Sequence, residues 1–331
     1  MSRARDLGYD ADPALDAAVR QGMDAVEALL RDSVKSSDAF ISDAAAHLLS
    51  AGGKRFRPLV TLLASHFGDA AGAGVVPSAV VVELTHLATL YHDDVMDEAV
   101  LRRGADSANS RWGNTVAILT GDFLFARASD ILADLGPEAV RLQARTFERL
   151  VQGQIRETVG PAEGQDPVEH YLRVLSDKTG SLIGTSARFG AMMSGADEST
   201  IELLTQWGER FGVAFQLSDD LLDVESESND SGKLPGTDLR EGVPTLPVLL
   251  LQRDAQPADA HLLDALSGDL SGDAELAEVL AELRAHPVMD RAREVTAQWA
   301  TDARVTLEPL PDVPARHALQ SLSEFVVHRS S

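Results

Sequence analysis

Apolar residues recur at helical spacing along most of this chain. Between residues 12 and 32, apolar positions separated by three or four residues form one stripe, which predicts an amphipathic helix. Similar patterns predict further helices over residues 38–50, 58–66, 78–98, 114–135, 138–158, 166–175 and 199–225. No stretch alternates polar and apolar residues with the two-residue period of a strand. The pattern therefore predicts an all-α protein, a single bundle of more than ten helices in one domain, residues 1–331.

The composition is that of a soluble globular protein with a large core, since 44% of the 331 residues are apolar and 24% are charged. Cysteine is absent, which excludes disulfides, thiolate metal sites and a cysteine nucleophile. The formal net charge of −23 argues against a nucleic-acid-binding protein, which needs a basic face. No run of about 18 apolar residues indicates a transmembrane helix, and residues 1–12 lack the apolar core of a secretory signal. We therefore expect a cytoplasmic protein without stable membrane insertion.

The acidic sequence D-D-x-x-D occurs twice, at residues 93–97 and 219–223, each time within a predicted helix. The first and last aspartates of each cluster are four residues apart and project from one face of the helix. Like charges at this spacing destabilise an isolated helix by a few tenths of a kcal/mol. A solvated acidic face would explain one such cluster, but two matching clusters favour a hard cation. Mg²⁺ in particular is bound by one or two carboxylates together with substrate phosphates.

Cationic residues occur beside glycines and close to the acidic clusters. Residues 52–58, which we name the basic loop, read Gly-Gly-Lys-Arg-Phe-Arg-Pro and precede a predicted helix. Backbone N–H groups at a helix start favour a phosphate, which Lys54 and Arg57 could contact. The alternative is a basic surface turn that ends the preceding helix. Further polar candidates near the clusters or beside glycines are His86, Arg102, Arg103, Lys178, Thr179, Gln216 and Lys233.

Taken together, these segments resemble the trans-isoprenyl diphosphate synthases, also called polyprenyl synthetases. The resemblance covers about residues 40–250, with the motifs in the family's order. It implies a single polyprenyl synthetase domain with the all-α isoprenoid synthase fold, in which central helices surround a deep cavity. It also implies that the two acidic clusters face each other across the mouth of that cavity and bind three Mg²⁺ ions, with Mn²⁺ as the alternative metal. The family is commonly homodimeric.

The resemblance implies a role for each matching residue. The metal ligands would be Asp93, Asp97 and Asp219, assisted by Asp94, Asp220 and Asp223. The residues that bind isopentenyl diphosphate would be Lys54, Arg57, His86 and Arg103. The residues that bind the allylic diphosphate would be Arg102, Lys178, Thr179, Gln216 and Lys233. The catalytic set would be Asp93, Asp97, Asp219, Lys178 and Arg102.

The reaction implied is a Mg²⁺-dependent head-to-tail condensation of isopentenyl diphosphate with an allylic diphosphate, farnesyl or geranylgeranyl. Short-chain enzymes of this family tend to have bulky aromatics four and five residues before the first cluster. Here these positions are Thr89 and Ala88, about 6–7.5 Å from Asp93 along the helix axis. We therefore expect the growing tail to continue past Thr85 toward Phe123, and the product to be a long-chain all-trans polyprenyl diphosphate for a quinone side chain.

One position departs from the family pattern. Members often have Asp-Leu-x-Glu-Gly-Lys, whereas residues 238–243 here read Asp-Leu-Arg-Glu-Gly-Val, so Val243 replaces a lysine and Arg240 is a candidate substitute. The alternative enzymes are a geranylgeranyl or other shorter-chain diphosphate synthase and a class I terpene cyclase. A regulatory partner subunit and a metal-dependent phosphohydrolase are further alternatives. The intact acidic clusters argue against the subunit, the basic loop argues against the cyclase, and the hydrolase lacks a visible nucleophile.

Overall fold

The computed structural model of the protein describes residues 12–226 and 235–329, with side chains up to Val326. Its α-helices, numbered here in chain order, are α1 Pro13–Ser33, α2 Ala39–Ser50, α3 Phe56–Ser65, α4 Val75–Met96, α5 Ala108–Trp112, α6 Asn114–Leu135, α7 Pro137–Val159, α8 Pro167–Leu175, α9 Ser181–Met193, α10 Glu198–Glu225, α11 Thr237–Arg240, α12 Leu246–Arg253, α13 Ala260–Leu266, α14 Asp273–Ala285, α15 Val288–Thr306 and α16 Pro314–Arg329. The all-α prediction and most predicted helix positions are confirmed.

Besides the α-helices, the described residues form a short hairpin, a π-helix and a 3₁₀ turn. Two-residue strands, β1 Leu101–Arg102 and β2 Ala105–Asp106, pair antiparallel directly after the first acidic cluster. Sequence reasoning missed this hairpin, because strands this short have no detectable period. A π-helix, Ser176–Gly180, follows α8, and a 3₁₀ turn, Pro257–Asp259, precedes α13. The π geometry of the first of these was not predicted from the sequence.

The chain divides into two compact units. The first consists of the described residues within Met1–Phe147, Leu182–Thr205 and Pro309–Leu319. The second consists of those within Glu148–Ser181, Gln206–Glu308 and Gln320–Ser331. The single domain over residues 1–331 and its deep central cavity therefore stay predictions.

In the first unit, α4 is the central helix and packs against α1, α3 and α6. It is apolar on most faces, because neighbouring helices cover it on several sides. The contact with α6 is close at Gly121, where an added Cβ would lie 2.3 Å from Nε2 of His92 and 3.1 Å from the carbonyl oxygen of Ala88. Glycine at this position therefore allows the two helices to approach each other.

In the second unit, a continuous apolar core surrounds the C-terminal half of α10. Leu217, Leu221 and Val224 of α10 are fully buried in it, together with residues of α8, α12, α14 and α15. These three positions recur at helical spacing, so they form one face of α10. The 219–223 acidic cluster is therefore held on a helix whose opposite face is fixed in the core.

None of the helices within residues 12–226 and 235–329 combines the length and apolar content needed to cross a bilayer.

Candidate active site

The first acidic cluster lies at the C-terminal end of α4. Asp94 is fully buried, and its Oδ1 accepts a 2.6 Å hydrogen bond from Nε of Arg102. Its Oδ2 is also buried and has no hydrogen-bond partner within the described chain. Burial raises the pKa of Asp94, and the Arg102 guanidinium opposes that shift. Asp93 is half-buried, and Asp97, which ends the helix, is exposed.

The second cluster, on α10, has the same arrangement. Asp220 is buried, and its two oxygens accept hydrogen bonds from the Tyr171 hydroxyl and, at 3.0 Å, from Nε2 of Gln216. Burial raises the pKa of Asp220 to about 6, although both hydrogen bonds lower it. Asp219 and Asp223 are half-buried. Asp223 also accepts hydrogen bonds from the backbone N–H groups of residues 237 and 238, at 3.2 and 3.0 Å.

Helix geometry explains why the second aspartate is the buried one in both clusters. Successive residues are rotated by about 100°, so the first and last aspartates of D-D-x-x-D lie about 40° apart. In α10 these two lie opposite Leu217, Leu221 and Val224, while the second aspartate is rotated toward that buried face. In α4 the second aspartate is likewise rotated toward Leu87 and Tyr91, which are fully buried. In each cluster the first and last carboxylates, which we call the outer carboxylates, therefore lie on the more accessible side of the helix, and the second carboxylate is buried.

The outer carboxylates suit Mg²⁺ only as part of its ligand shell. In the described ranges, no three carboxylate or imidazole groups are placed so that one ion could bind all of them. Mg²⁺ in phosphate-binding sites takes one or two carboxylates and completes its octahedron with phosphate oxygens and water. The donor set is compatible with the metal, and the predicted number of three ions stays a prediction.

The basic loop joins α2 to α3 and includes the first three residues of α3, and Arg55 holds it in place. The Arg55 guanidinium is buried and donates to Glu27 Oε1 at 2.6 Å, to the Leu49 carbonyl at 2.8 Å and to Glu83 Oε1 at 3.3 Å. An added Cβ on Gly53 would lie 2.9 Å from both Arg55 Nη1 and Arg103 Nη1. The loop is therefore closed tightly around two guanidinium groups, and the φ of 140° at Gly53 favours glycine there.

Arg57 differs from Arg55 in its hydrogen bonding. Its Nε is buried and has no hydrogen-bond partner in the part of the chain that is described, and Lys54 is exposed. Burial lowers the pKa of Arg57 to about 10, although Glu83 opposes this shift. An anion at this position would give the buried N–H group an acceptor.

Two further residues complete this region. Burial, together with Arg57, Arg103 and Arg102, lowers the pKa of His86 well below its usual value, so the imidazole is neutral at pH 7. Arg103 adopts a φ of 54° and donates to the carbonyl oxygens of Leu48, at 3.1 Å, and Gly52. The structure therefore brings three of the four residues of the predicted isopentenyl diphosphate group, Arg57, His86 and Arg103, into one electrostatic cluster.

Glu83 was missed by sequence reasoning. It is buried, accepts from Arg55, and interacts electrostatically with Arg57 and Arg103. The sequence does contain a signal for it, because Glu83 is a lone carboxylate within the apolar run of α4. A carboxylate buried in such a run requires a cationic partner. Tyr171 was missed as well, because nothing in its neighbourhood in the sequence points to Asp220.

The predicted allylic group belongs to the second unit, apart from Arg102. Lys178 donates to Glu157 Oε2 at 2.5 Å, and Thr179 Oγ1 lies 3.4 Å from Gln216 Oε1. Gln216 and Asp220 are hydrogen-bonded, so Thr179 is connected to the second acidic cluster. Arg102 is paired with Asp94 in the first unit, and Lys233 lies outside the described residues. The contacts predicted between these residues and a diphosphate stay predictions.

The predicted chain-length residues differ in burial. Ala88 and Thr85 are fully buried, and Thr85 Oγ1 accepts a 2.7 Å hydrogen bond from Nε2 of Gln143. Thr89 and Phe123 are half-buried. Thr89 and not Ala88 is therefore the accessible one of the two small residues before the first cluster.

The position that departs from the family pattern is also described. Val243 is exposed, and its N–H donates to the Asp238 carbonyl at 2.8 Å. Arg240 donates to the Ser271 carbonyl and pairs with Asp273 at 2.6 Å. Arg240 is thus engaged on the surface of the second unit in this structure.

Comparison with known proteins identifies the family. The model of the family described as Polyprenyl synthetase matches residues 38–283. The chain belongs to the polyprenyl synthetase family. It is 53% identical over 325 residues to the nonaprenyl diphosphate synthase of Mycobacterium tuberculosis, covering 98% of this chain and 96% of the relative. It is 32% identical over 310 residues to the octaprenyl diphosphate synthase of Escherichia coli, covering 93% and 96%.

A solved structure is similar along nearly the whole chain. The geranylgeranyl pyrophosphate synthase of Corynebacterium glutamicum, complexed with calcium and isoprenyl diphosphate, superposes with a TM-score of 0.87 at 46% identity, covering 96% of this chain and 98% of that chain. The predicted family and the isoprenoid synthase fold are therefore confirmed. As a polyprenyl synthetase the chain is a prenyltransferase, as the sequence predicted. The divalent metal in the similar structure also agrees with the predicted need for one.

Proposed function

We propose that this polyprenyl synthetase is a long-chain all-trans polyprenyl diphosphate synthase, which condenses isopentenyl diphosphate with an allylic diphosphate. Relatives named nonaprenyl, octaprenyl and heptaprenyl diphosphate synthase support the long-chain product. The observation that carries the proposal is that both D-D-x-x-D clusters have accessible outer carboxylates on helices whose other faces are buried. A shorter-chain synthase is the second candidate, because the similar Corynebacterium structure is that of a geranylgeranyl enzyme.

In the proposed mechanism, Asp93, Asp97 and Asp219 would hold three Mg²⁺ ions, and the other three aspartates of the clusters would assist them. The metal would supply positive charge that stabilises the diphosphate as a leaving group. Lys178, Thr179, Gln216, Arg102 and Lys233 orient the allylic diphosphate and share its charge. An apolar environment then protects the allylic cation from water.

Isopentenyl diphosphate is the second substrate, and the basic loop binds it. Lys54, Arg57 and Arg103 contact its diphosphate, with the neutral His86 as a hydrogen-bonding partner. The double bond attacks the allylic cation, one C–C bond forms, and a proton is lost to the departing diphosphate. Each cycle lengthens the product by one five-carbon unit and regenerates an allylic diphosphate.

One assay tests this function. The protein is incubated with Mg²⁺, farnesyl or geranylgeranyl diphosphate and radiolabelled isopentenyl diphosphate, and the products are separated by size. We expect label in a series of all-trans products longer than geranylgeranyl diphosphate. Label only in geranylgeranyl diphosphate would favour the second candidate. Absence of label from every product would contradict the proposal. The terpene cyclase, the phosphohydrolase and the regulatory subunit would then be the alternatives to test.

Product length is expected to respond to the residues before the first cluster. Thr89→Phe places a ring at an accessible position beside the proposed tail, so the product should be shorter by several five-carbon units while Tm stays unchanged. Ala88→Phe should also shorten the product, but with a lower Tm. Overpacking a buried position of this kind costs about 1–3 kcal/mol. Radiolabelled product sizing and thermal unfolding measure the two effects.

The control for this prediction is Thr89→Ser, which keeps a small hydroxyl side chain and should leave product length as in the wild type. A Thr89→Phe enzyme that makes products of wild-type length would show that the tail does not run past this position.

We also propose that the protein is a homodimer. On α6, Ile118 and Leu119 are 42% and 61% exposed, an unusual situation for two adjacent large apolar residues. A second copy that packs on α6 would cover them. Sedimentation equilibrium at micromolar concentration should give twice the chain mass of 35.4 kDa, and a monomer mass would contradict the proposal.

A further inference from the structure

The π-helix Ser176–Gly180 is the least regular part of the second unit. It follows α8 and carries Lys178 and Thr179, two of the residues proposed to bind the allylic diphosphate. A π-turn has poorer hydrogen-bond geometry than an α-helix and occurs mostly as a single turn, frequently at functional sites. Its conformation must therefore be stabilised by surrounding contacts, and those contacts decide where Lys178 and Thr179 lie.

The side chain of Asp177 supplies the strongest of these contacts. Asp177 is buried within the turn, and its two oxygens accept hydrogen bonds from two arginines of α7. Nε of Arg149 donates to Oδ1 at 3.1 Å, and Nη1 of Arg156 donates to Oδ2 at 2.5 Å. Because each oxygen has its own arginine, the carboxylate is fixed in both position and orientation. The turn is thereby attached to α7.

Glycines make this attachment close. An added Cβ on Gly153 of α7 would lie 2.9 Å from the backbone nitrogen of Lys178 and 3.1 Å from Cβ of Asp177. An added Cβ on Gly180 would lie 2.8 Å from the Glu209 carbonyl oxygen of α10. Both obstacles are backbone or near-backbone atoms, which cannot rotate away as the end of a flexible side chain can. The π-turn is therefore packed between α7 and α10 at the closest distance that the backbones permit.

Beyond the turn, the contacts continue to the second acidic cluster. Thr179 contacts Gln216, and Gln216 donates to Asp220. Lys178 pairs with Glu157 of α7, the residue directly after Arg156. A displacement of the turn would therefore change the position of Lys178 and Thr179 relative to the carboxylates of α10.

We propose that Asp177 is a positioning residue for the allylic diphosphate, acting through its paired arginines Arg149 and Arg156 and through the π-turn on Lys178 and Thr179. The inference rests on the proposed function, since it assigns Lys178 and Thr179 to that substrate. Asp177 itself does not contact the diphosphate. Its carboxylate sets the geometry of the two residues that follow it in the chain.

A purely structural role for Asp177 makes a different prediction. A general loss of stability lowers the fraction of folded enzyme, so it reduces kcat and leaves both KM values unchanged. A positioning role raises KM for the allylic substrate alone, because the basic loop that binds isopentenyl diphosphate belongs to the other unit. The two arginines retain other acceptors, Glu209 for Arg149 and Gln152 for Arg156, so the neutral variant leaves neither guanidinium without a partner.

The test uses the full-length protein with Mg²⁺, farnesyl diphosphate and labelled isopentenyl diphosphate. For Asp177→Asn we expect KM for farnesyl diphosphate to rise about 10-fold to 100-fold, the range found when a supporting hydrogen-bond partner of a site is removed. The kcat and the KM for isopentenyl diphosphate should stay within about twofold of wild type, and Asp177→Glu should recover part of the loss. Calorimetric titration with a non-hydrolysable farnesyl thiodiphosphate should show the same weakening without turnover.

Further variants make the test independent of the folding of one protein. Arg156→Met should raise the same KM, and the double variant with Asp177→Asn should be no worse than the single variants, because both remove one interaction. Gly153→Ala keeps every charge but pushes on Lys178, and it should also raise KM for farnesyl diphosphate. Arg145→Met, an exposed arginine of the same helix, is the matched control and should behave as wild type.

Several results would overturn the inference. If Asp177→Asn left the KM for farnesyl diphosphate unchanged, or raised it as much as the KM for isopentenyl diphosphate, Asp177 would have only a structural role. Should Asp177→Asn fail to fold, an unchanged KM in Gly153→Ala and Arg156→Met would have the same meaning. Failure of the proposed function is distinguishable, since the wild type would then incorporate no label at all.

Discussion

Asp93→Asn and Asp219→Asn are each expected to lower kcat by about 10²–10³-fold, the cost of removing one group that stabilises charge in a transition state. Each variant keeps the shape of the side chain and removes the negative charge that we propose holds the metal. In both clusters the first aspartate is on the accessible side of its helix, while the second is buried and hydrogen-bonded within the protein. Loss of the first carboxylate therefore weakens the metal site with little effect on packing. Steady-state assays over a range of Mg²⁺ concentrations measure the effect.

The apparent Mg²⁺ affinity should fall in both variants, and Tm should change by no more than a few degrees. Glu202→Gln is the control, because Glu202 is an exposed acid of α10 whose ion pair with Arg188 contributes little to stability. An Asp93→Asn or Asp219→Asn enzyme with wild-type kcat and wild-type Mg²⁺ dependence would show that the cluster concerned does not bind the catalytic metal.

Arg57→Met is expected to raise KM for isopentenyl diphosphate about 10-fold to 100-fold. A hydrogen bond to a charged group contributes about 1.5–3 kcal/mol, and each 1.4 kcal/mol is a factor of ten. Arg57 has a buried N–H group that none of the described residues accepts from, so a diphosphate would supply its acceptor. Arg57→Lys should be intermediate, because lysine keeps the charge but lacks the planar fork of donors. The KM for the allylic substrate should not change, and initial-rate kinetics with each substrate varied separately provide the measurement.

The neighbouring Arg55 provides the contrasting variant. All of its nitrogens donate to protein acceptors, so Arg55→Met should remove the guanidinium that donates to the buried carboxylate of Glu83. Breaking a buried pair in this way costs about 3–5 kcal/mol of unfolding free energy. Arg55→Met should therefore lower Tm strongly, whereas Arg57→Met should change KM with a small effect on Tm. If the two variants showed the reverse behaviour, the assignment of Arg57 to the substrate would be wrong.

The acidic clusters show how far sequence reasoning reaches. The spacing of D-D-x-x-D is enough to place the first and last carboxylates on one helix face. It does not show which aspartate lies inside, because α4 is apolar on nearly every face and no single stripe marks its buried side. That choice depends on the helices that pack around α4, and their contacts join residues far apart in the sequence.

The cationic residues show the same limit. Nothing in the type or spacing of Lys54, Arg55 and Arg57 shows which of these cations is buried. In the structure Lys54 is exposed, Arg55 is buried and holds the basic loop, and Arg57 is half-buried. The difference arises from Glu27 and Glu83, which lie 28 residues before and after Arg55 in the chain. No local pattern contains that information.

The sequence by itself determined the helical class of this protein, the position of most helices, both acidic clusters and the family, because each is recognised from patterns within short continuous segments and from their order along the chain. The tertiary structure alone decided the partners of Asp94, Asp220 and Arg55. It also decided the π geometry at Ser176–Gly180, which depends on Arg149, Arg156 and the close approach of Gly153. Hydrogen-bond partners and backbone contacts of this kind are brought together only when distant helices pack. The acidic clusters could therefore be found in the sequence, but the contacts that orient them could not.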